Sequence, residues 1–412
     1  MTESLTAPLR HHNFRRLTTG RTFGEFGNSV APVALAFAVL DLTGSAIDLG
    51  LVVGARSLAS VLLLLFGGVL ADRLPRSVIL QGTEIAATIT QATIAASILF
   101  GFASIPLLTS LSLVNGAVAA LSLPAAASIT PQTVPPALLT QANALARMLS
   151  SSGRIAGAAL GGILVAGLGS GWAIAANSAL FLCAAAAYRG VKLAHTPRTG
   201  KTNPLTDLRE GWHEFISRNW VWVVVVQFMV VNAVAVGMTL VLGPIIADGT
   251  FGRAGWGFVL AAGTAGAFVG GILASKWQPR RALMVGVAAI FLEVIPMVTL
   301  AEAPRVLPLL IAMFVAGVSI EQFGVAWDVS LQENIPPDKL ARVYSYDMLG
   351  SFIAMPVGEV AAGPLAEHFG RENTLLAGAA LIAVTTALTL CSSQVRGLAR
   401  KRPVDQVTPS GI

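Results

Sequence analysis

Charge and cysteine are what this chain has least of. Only 12% of its 412 residues are charged, where soluble domains carry about one-quarter, so most of the chain does not face water. The two cysteines, Cys183 and Cys391, each sit inside an apolar run. That argues against a disulfide framework or thiolate metal cluster, and the expectation is two small buried hydrophobes. The five histidines fall outside the apolar runs, without zinc or haem spacing. No Gly-rich loop ending in Lys-Ser/Thr is present, which argues against nucleotide hydrolysis as the energy source. Paired catalytic carboxylates and nucleophile–base arrangements are also missing. The expectation is a protein that is not an enzyme and carries no cofactor and no metal.

What is present is hydrophobic: 54% of residues, with a mean hydropathy of +0.72. Apolar runs long enough to cross a bilayer at ~1.5 Å per residue recur along the whole chain. Their cores lie near 22–42, 48–70, 78–102, 106–129, 142–167, 172–188, 220–246, 255–276, 282–300, 306–327, 343–365 and 373–392. In lipid each backbone group needs an internal partner, and strand alternation is absent, so these runs read as twelve helices. Trp172, Trp220, Trp222 and Trp277 stand at run ends, where interfacial belts form. The N-terminal stretch with Arg10, Arg15 and Arg16 has no cleavable signal pattern.

A net charge of +6 and a pI near 9.8 raise nucleic acid as a partner, but the distribution of charge argues against it. The tails, the middle loop and the even-numbered gaps hold 20 Lys and Arg, whereas the opposite gaps hold only Arg253, Arg305 and Arg371. Such an asymmetry predicts that both termini and the middle loop are cytoplasmic. The high Ala and Gly content suits a bacterial source, and a multi-pass protein of its inner membrane is expected.

The chain also repeats itself. Val134-Pro135-Pro136-Ala-Leu-Leu139 matches Ile335-Pro336-Pro337-Asp-Lys-Leu340 at an offset of 201 residues, and the same offset joins Gly157 to Gly358, Gly162 to Gly363 and Gly169 to Gly370. Gly68-Val-Leu-Ala-Asp72-Arg73-Leu-Pro75-Arg76 recurs in weaker form as Gly271-Ile-Leu-Ala-Ser275-Lys276, followed by Arg280 and Arg281, at an offset of 203. The division predicted is a six-helix bundle over 1–188, a cytoplasmic linker over 189–219, a second bundle over 220–395 and a tail over 396–412. Two such bundles in the same orientation place a substrate site between them at mid-depth.

These features carry a resemblance to the major facilitator superfamily over the whole chain. Gly68, Asp72, Arg73 and Arg76 look like its signature loop between helices 2 and 3, with Pro75 where Gly is usual. By that resemblance they form a gating loop that holds one state through charge-assisted bonds, with Gly271, Lys276, Arg280 and Arg281 as its second-half counterpart. The resemblance also sets Asp72 against the start of helix 11, near Arg342. Gly153, Gly157, Gly161 and Gly162 resemble the helix-5 motif of the exporters, with Ala158 in place of Pro. Small residues at this spacing let helices approach closely, and helix 8 with Gly266 and Gly270 is the expected partner. Asp41-Leu-Thr-Gly-Ser45 and Leu208-Arg-Glu-Gly-Trp212 are similar to the branch of enterobactin exporters and macrolide-efflux permeases. Leu205, Leu208, Trp212, Phe215 and Ile216 share one face of a predicted amphipathic helix, expected to lie on the inner membrane surface. The Arg found in helix 4 of many drug/proton antiporters is absent, since Leu107 to Ala127 offers only Asn115.

Charges inside the membrane are expensive and mark function or structural pairing. Glu25 and Arg21 lie in helix 1, Arg56 in helix 2, Arg147 and Arg154 in helix 5, Glu321 in helix 10, and Asp347 and Glu359 in helix 11. Glu84 and Glu293 fall in helices that the resemblance places at the periphery. Glu25 is the expected proton-coupling group, with Arg147 as counter-charge; a static structural ion pair is the alternative. Arg154, Arg56 and Asp347 are further cavity candidates. The expected function is export of a small amphipathic compound by proton-coupled alternating access in a monomer. Proton-coupled uptake and a non-transporting receptor or assembly platform stand as alternatives.

Overall fold

The computed structural model describes the backbone of residues 6–73, 76–127, 129–189, 191, 212–277 and 279–400, and the side chains of all these except 64–73, 76–77, 123–127, 131, 337, 338 and 341. Twelve long helices follow one another. The first six are α1 (His12–Thr43), α2 (Ala46–Arg73), α3 (Arg76–Leu99), α4 (Ile105–Ala127), α5 (Leu139–Leu168) and α6 (Ser170–Tyr188). The second six are α7 (Asn219–Gly249), α8 (Arg253–Lys276), α9 (Ala282–Glu302), α10 (Val306–Asn334), α11 in two pieces (Pro337–Phe352 and Met355–Phe369) and α12 (Arg371–Cys391). Eleven described helical stretches are long and apolar enough to cross a membrane. The helix outside that set is α3, whose Gln81, Thr83, Glu84, Thr88 and Gln91 lower its hydropathy.

The duplication read from the sequence is physical. Gly169 ends α5 and Gly370 ends α11 with the same backbone, φ 86° in each, a left-handed conformation that glycine adopts without Cβ strain. Within the first half a Cβ on Gly116 of α4 would strike the Arg56 carbonyl of α2, and at the repeat-related Gly317 of α10 it would strike the Gly263 carbonyl of α8. Gly157 packs on the backbone of α1 at Phe26, as Gly358 packs on that of α7 at Ala233. Several glycine contacts thus recur between the two halves at one offset.

Two seams join the halves. In one, Gly162 of α5 meets Gly257 of α8, with their Cα atoms so close that an added Cβ would lie 2.9 Å from the facing Cα. In the other, Gly363 of α11 meets Ala46 and Ile47 at the start of α2, and Gly50 and Gly54 lie under Glu359, Val360 and Pro356. Both seams sit toward the end that carries Gly44, Gly169, Gly252 and Gly370, here called the low-charge end; the other is the basic end.

The expected partner of the helix-5 glycines is corrected in register. Gly153, Gly157 and Gly161 pack on α1 at Thr22, Phe26 and Val30, and only Gly162 reaches α8, through Gly257. Gly266 and Gly270 face Phe314 and Val318 of α10, inside their own half. The spacing of small residues marks where a backbone is approached, and neighbouring rows of one helix serve different neighbours.

The linker before α7 carries part of the expected amphipathic helix. Residues 212–216 are helical; on their apolar face Phe215 packs on protein, while Trp212 and Ile216 remain exposed. Phe215 is buried and stacks with Trp212, and both rings pack on Tyr346 of α11. Glu214 accepts from Arg218 at 2.7 Å and from Lys339 at 2.9 Å, and Arg218 donates to the Asn334 carbonyl at 2.7 Å. Residues 205 and 208 of that face lie outside the described residues.

Two predictions follow from this packing. Gly162→Leu should leave the first bundle folded but hold the seam apart, read as raised thiol labelling near Gly257 with little change in melting temperature. Gly116→Leu, which overpacks inside one bundle by about 1–3 kcal/mol, should instead lower yield and melting temperature. At the linker, hydrogen bonds from Lys339 and Arg218 hold the Glu214 carboxyl below its usual range. Its stabilisation is complete above the ordinary carboxylate range and is lost only as pH falls through that depressed value. Glu214→Gln should therefore loosen the segment at pH 7, seen as Trp212 becoming accessible to an aqueous quencher, and should lose its effect in strong acid.

Candidate transport crevice

The face each helix leaves uncovered defines the space between the halves. On α1, Gly20, Gly24 and Gly27 face α6 and α3, while Thr22, Phe26 and Ser29 face α5. Arg21, Glu25 and Asn28 fall between these two rows, one above another at i, i+4 and i+7. On α5, Arg147 and Arg154 fall between the row facing α1 and the Ala158/Gly162 row facing α8. Both arginines are exposed and Glu25 is half-buried. They thus lie on the strips of α1 and α5 that their packed neighbours leave open.

The opposite wall is aromatic. On α7, Ala233 and Gly237 face α11, and Gln227, Val234 and Met238 face α12. Val224, Phe228 and Asn232 are left over and line a cavity of about 240 Å³ with Phe323 and Trp327 of α10 and Asp347, Ser351 and Phe352 of α11. Phe228 stacks on Phe323 at 4.0 Å between centroids, and Phe323 stacks on Trp327. Asp347 accepts from the Trp327 indole at 2.9 Å and from Ser351 at 3.2 Å. Asn232 donates to the Ser351 carbonyl at 2.9 Å and opens a π-helical turn, Asn232–Val236. Such turns are frequent at functional sites because they re-aim side chains within a helix. Phe352 continues the α11 row of Pro356, Glu359 and Gly363 that packs on α2, so this wall looks toward the first half.

Among the described residues, two polar contacts join the halves at the low-charge end. Arg253, the first residue of α8, binds Asp41 of α1 at 2.6 Å and Asp248 of its own half at 2.7 Å. Asp41 also accepts from Ser170 at 2.8 Å, and the guanidinium lies over the Phe37 ring. Deeper in the other seam, Ser57 of α2 donates to Glu359 of α11 at 2.9 Å.

The sequence-chosen residues are thus distributed unevenly. Asp347 lines the aromatic cavity, whereas Glu25, Arg147 and Arg154 fall on the strips of α1 and α5 between their packed rows. Among the described residues Glu25 and Arg147 form no ion pair with each other, and Arg154 makes a 3.4 Å contact with Ser151. Arg56 packs its carbonyl on Gly116 of α4, and its guanidinium and Glu359 act on each other electrostatically. Lys276, Arg280 and Arg281 are exposed at the basic end, and Gly271 packs on Glu321. The side chains of Gly68, Asp72, Arg73 and Arg76 lie outside the described residues. Sequence reasoning missed the Asp41–Arg253 contact, although Asp41 stood in a quoted motif. It also set Glu84 at the periphery, whereas its carboxylate fits into the space left by Gly24 of α1, near Glu25.

A family model described as Major Facilitator Superfamily matches residues 17–359. The multidrug efflux pump Tap of Mycolicibacterium fortuitum is 24% identical over 393 residues, covering 92% of this chain and 93% of its own length. The nucleoside transporter NupG superposes with a TM-score of 0.73 at 13% identity, over 92% of this chain and 98% of that one. A bacterial homologue of the human lysosomal transporter Spinster, inward-facing and occupied, gives 0.72 at 17% identity, over 96% and 99%.

Breaking the Asp41 contact should loosen one end only. Arg253→Ala or Asp41→Asn removes a partly exposed pair worth about 1 kcal/mol, or about a fivefold change in an equilibrium. The expected result is faster thiol labelling at Gly249→Cys, with labelling at the basic end unchanged or slower.

Proposed function

We propose that this chain, a membrane transporter belonging to the Major Facilitator Superfamily, exports a small amphipathic organic compound from a bacterial cytoplasm in exchange for protons. The observation that carries this reading is the two-walled crevice. One wall offers stacked rings of Phe228, Phe323 and Trp327 beside the Asp347 carboxylate, which suits a flat apolar body with a polar or cationic group. The other offers Glu25 with Arg147 and Arg154. Export is favoured by the likeness to a multidrug efflux pump and by the glycines of α5, which form both the α1 contact and the seam with α8.

In this reading the halves rock about the crevice. The low-charge end faces outward, as the Lys and Arg distribution predicts, and is latched by Asp41–Arg253 and by the two glycine seams. Asp72, Arg73 and Arg76 latch the basic end in the opposite state. Glu25 takes a proton when the crevice meets the outer solution and releases it to the cytoplasm, because a carboxylate half-buried in the membrane changes charge at a modest cost.

The first test is a susceptibility panel of drugs and dyes in a pump-deficient host expressing the chain, with and without a protonophore. Resistance that the protonophore removes is expected; accumulation of a compound upon expression would overturn export. Glu25→Gln should express normally and lose flux driven by a pH gradient by tenfold or more, while counterflow with substrate on both sides persists. Proton-driven flux at wild-type rates in that variant removes Glu25 from the coupling.

A further inference from the structure

The α2–α11 seam contains a carboxylate that packing does not explain. Glu359 is 0% exposed. One oxygen accepts from Ser57, itself nearly buried, at 2.9 Å, and the other, Oε2, is buried without a hydrogen-bond partner. Gly50 and Gly54 of α2 admit this turn of α11: a Cβ added at Gly50 would strike the Glu359 carbonyl, and one added at Gly54 would lie 3.7 Å from the Glu359 Cβ. The repeat-related position in the other seam, 201 residues earlier, is Ala158, whose carbonyl packs on Gly257. The same architecture therefore closes without an acid.

Its surroundings offer one cation and no direct ion pair to balance a full negative charge. Arg56, one residue before Ser57, acts on it electrostatically, yet the two make no ion pair within 4.0 Å among the described residues. The part of α7 packed on α11 contributes Asn232 and apolar side chains, and its one titratable residue, Asp248, is at the far end and held by Arg253. On α11, Glu367 and His368 lie two turns beyond Glu359, and Asp347 is engaged by Trp327 and Ser351. Arg371 and Glu372 of α12 stand at the low-charge end, past Gly370. An ionised carboxylate in such a place costs several kcal/mol, and a protonated one far less. Opening the seam separates Glu359 from Ser57 and admits water to it.

We propose that Glu359 is a second proton-binding site, at the seam between the halves, which holds its proton while the low-charge end is closed and releases it to the solution on that side when the end opens. It rests on the rocking motion described under Proposed function. The site binds a proton and no other ligand, and couples seam closure to the pH of the solution at that end. Acid there favours the closed seam and alkali the open one, by up to about tenfold per pH unit, the limit for one proton.

The test uses the full chain in proteoliposomes, with Cys183 and Cys391 replaced by Ser and spin labels at Gly167→Cys and Gly249→Cys, two low-charge-end positions with open space around the Cα. Between pH 5 and 9 the closed population should fall as pH rises. Glu359→Gln, neutral and nearly the same shape, should remain closed at every pH; Glu359→Asp should keep a pH response. A wild-type response retained in Glu359→Gln overturns the proposal. A seam that opens at all pH values in that variant also overturns it, since that is the behaviour of an ion pair with Arg56. Ethidium efflux from the same vesicles separates the two readings. Flux with a pH-insensitive seam in the wild type sinks this site alone, and a fixed seam without flux sinks the rocking motion as well.

Discussion

Backbone-to-backbone contact between the halves is the constraint on which the rest depends. Gly162 against Gly257, and Gly363 against Ala46 and Ile47, bring two membrane bundles together with no side chain between them. In lipid there is little hydrophobic gain from pressing helices together, so association rests on close packing of this kind. Contacts that consist of surfaces without interlocking side chains also part without unravelling either bundle. The crevice, its charged wall and its aromatic wall exist because these seams close one end.

Polar groups are then placed where the seams can use them. Asp41 and Arg253 meet at the rim, partly exposed, where an ion pair is weak enough to break. Glu359 and Ser57 meet inside, where an unpaired charge is costly and its protonation state matters. Glu25, Arg147 and Arg154 stand in the open crevice, where water tempers the cost of charge. A gradient from wet rim to dry seam to wet cavity sorts these groups by the energy that each can contribute to a change of state.

Much of this was legible in the sequence, for identifiable reasons. Hydropathy marks helices because a bilayer has a fixed thickness, and it marks even α3, whose signal is weakened by Glu84 and its polar neighbours. The 201-residue offset found the duplication because glycines at helix contacts have no substitutes. What that spacing does not contain is the identity of the partner, so Gly266 and Gly270 were set against the wrong helix. Periodicity marks the apolar face of residues 212–216 without naming its partners: Phe215 packs on Tyr346, while Trp212 and Ile216 stay exposed. Asp41 and Arg253 are 212 residues apart, and no local pattern joins them.

The central claim is that the two ends open in alternation about one crevice. Its most direct measurement is a pair of distance distributions in nanodiscs, one across the low-charge end between labels at positions 167 and 249, the other across the basic end between labels at positions 140 and 277. On adding ethidium or changing pH, one distance should lengthen as the other shortens. Distances that move together, or remain fixed while substrate is transported, would contradict the account.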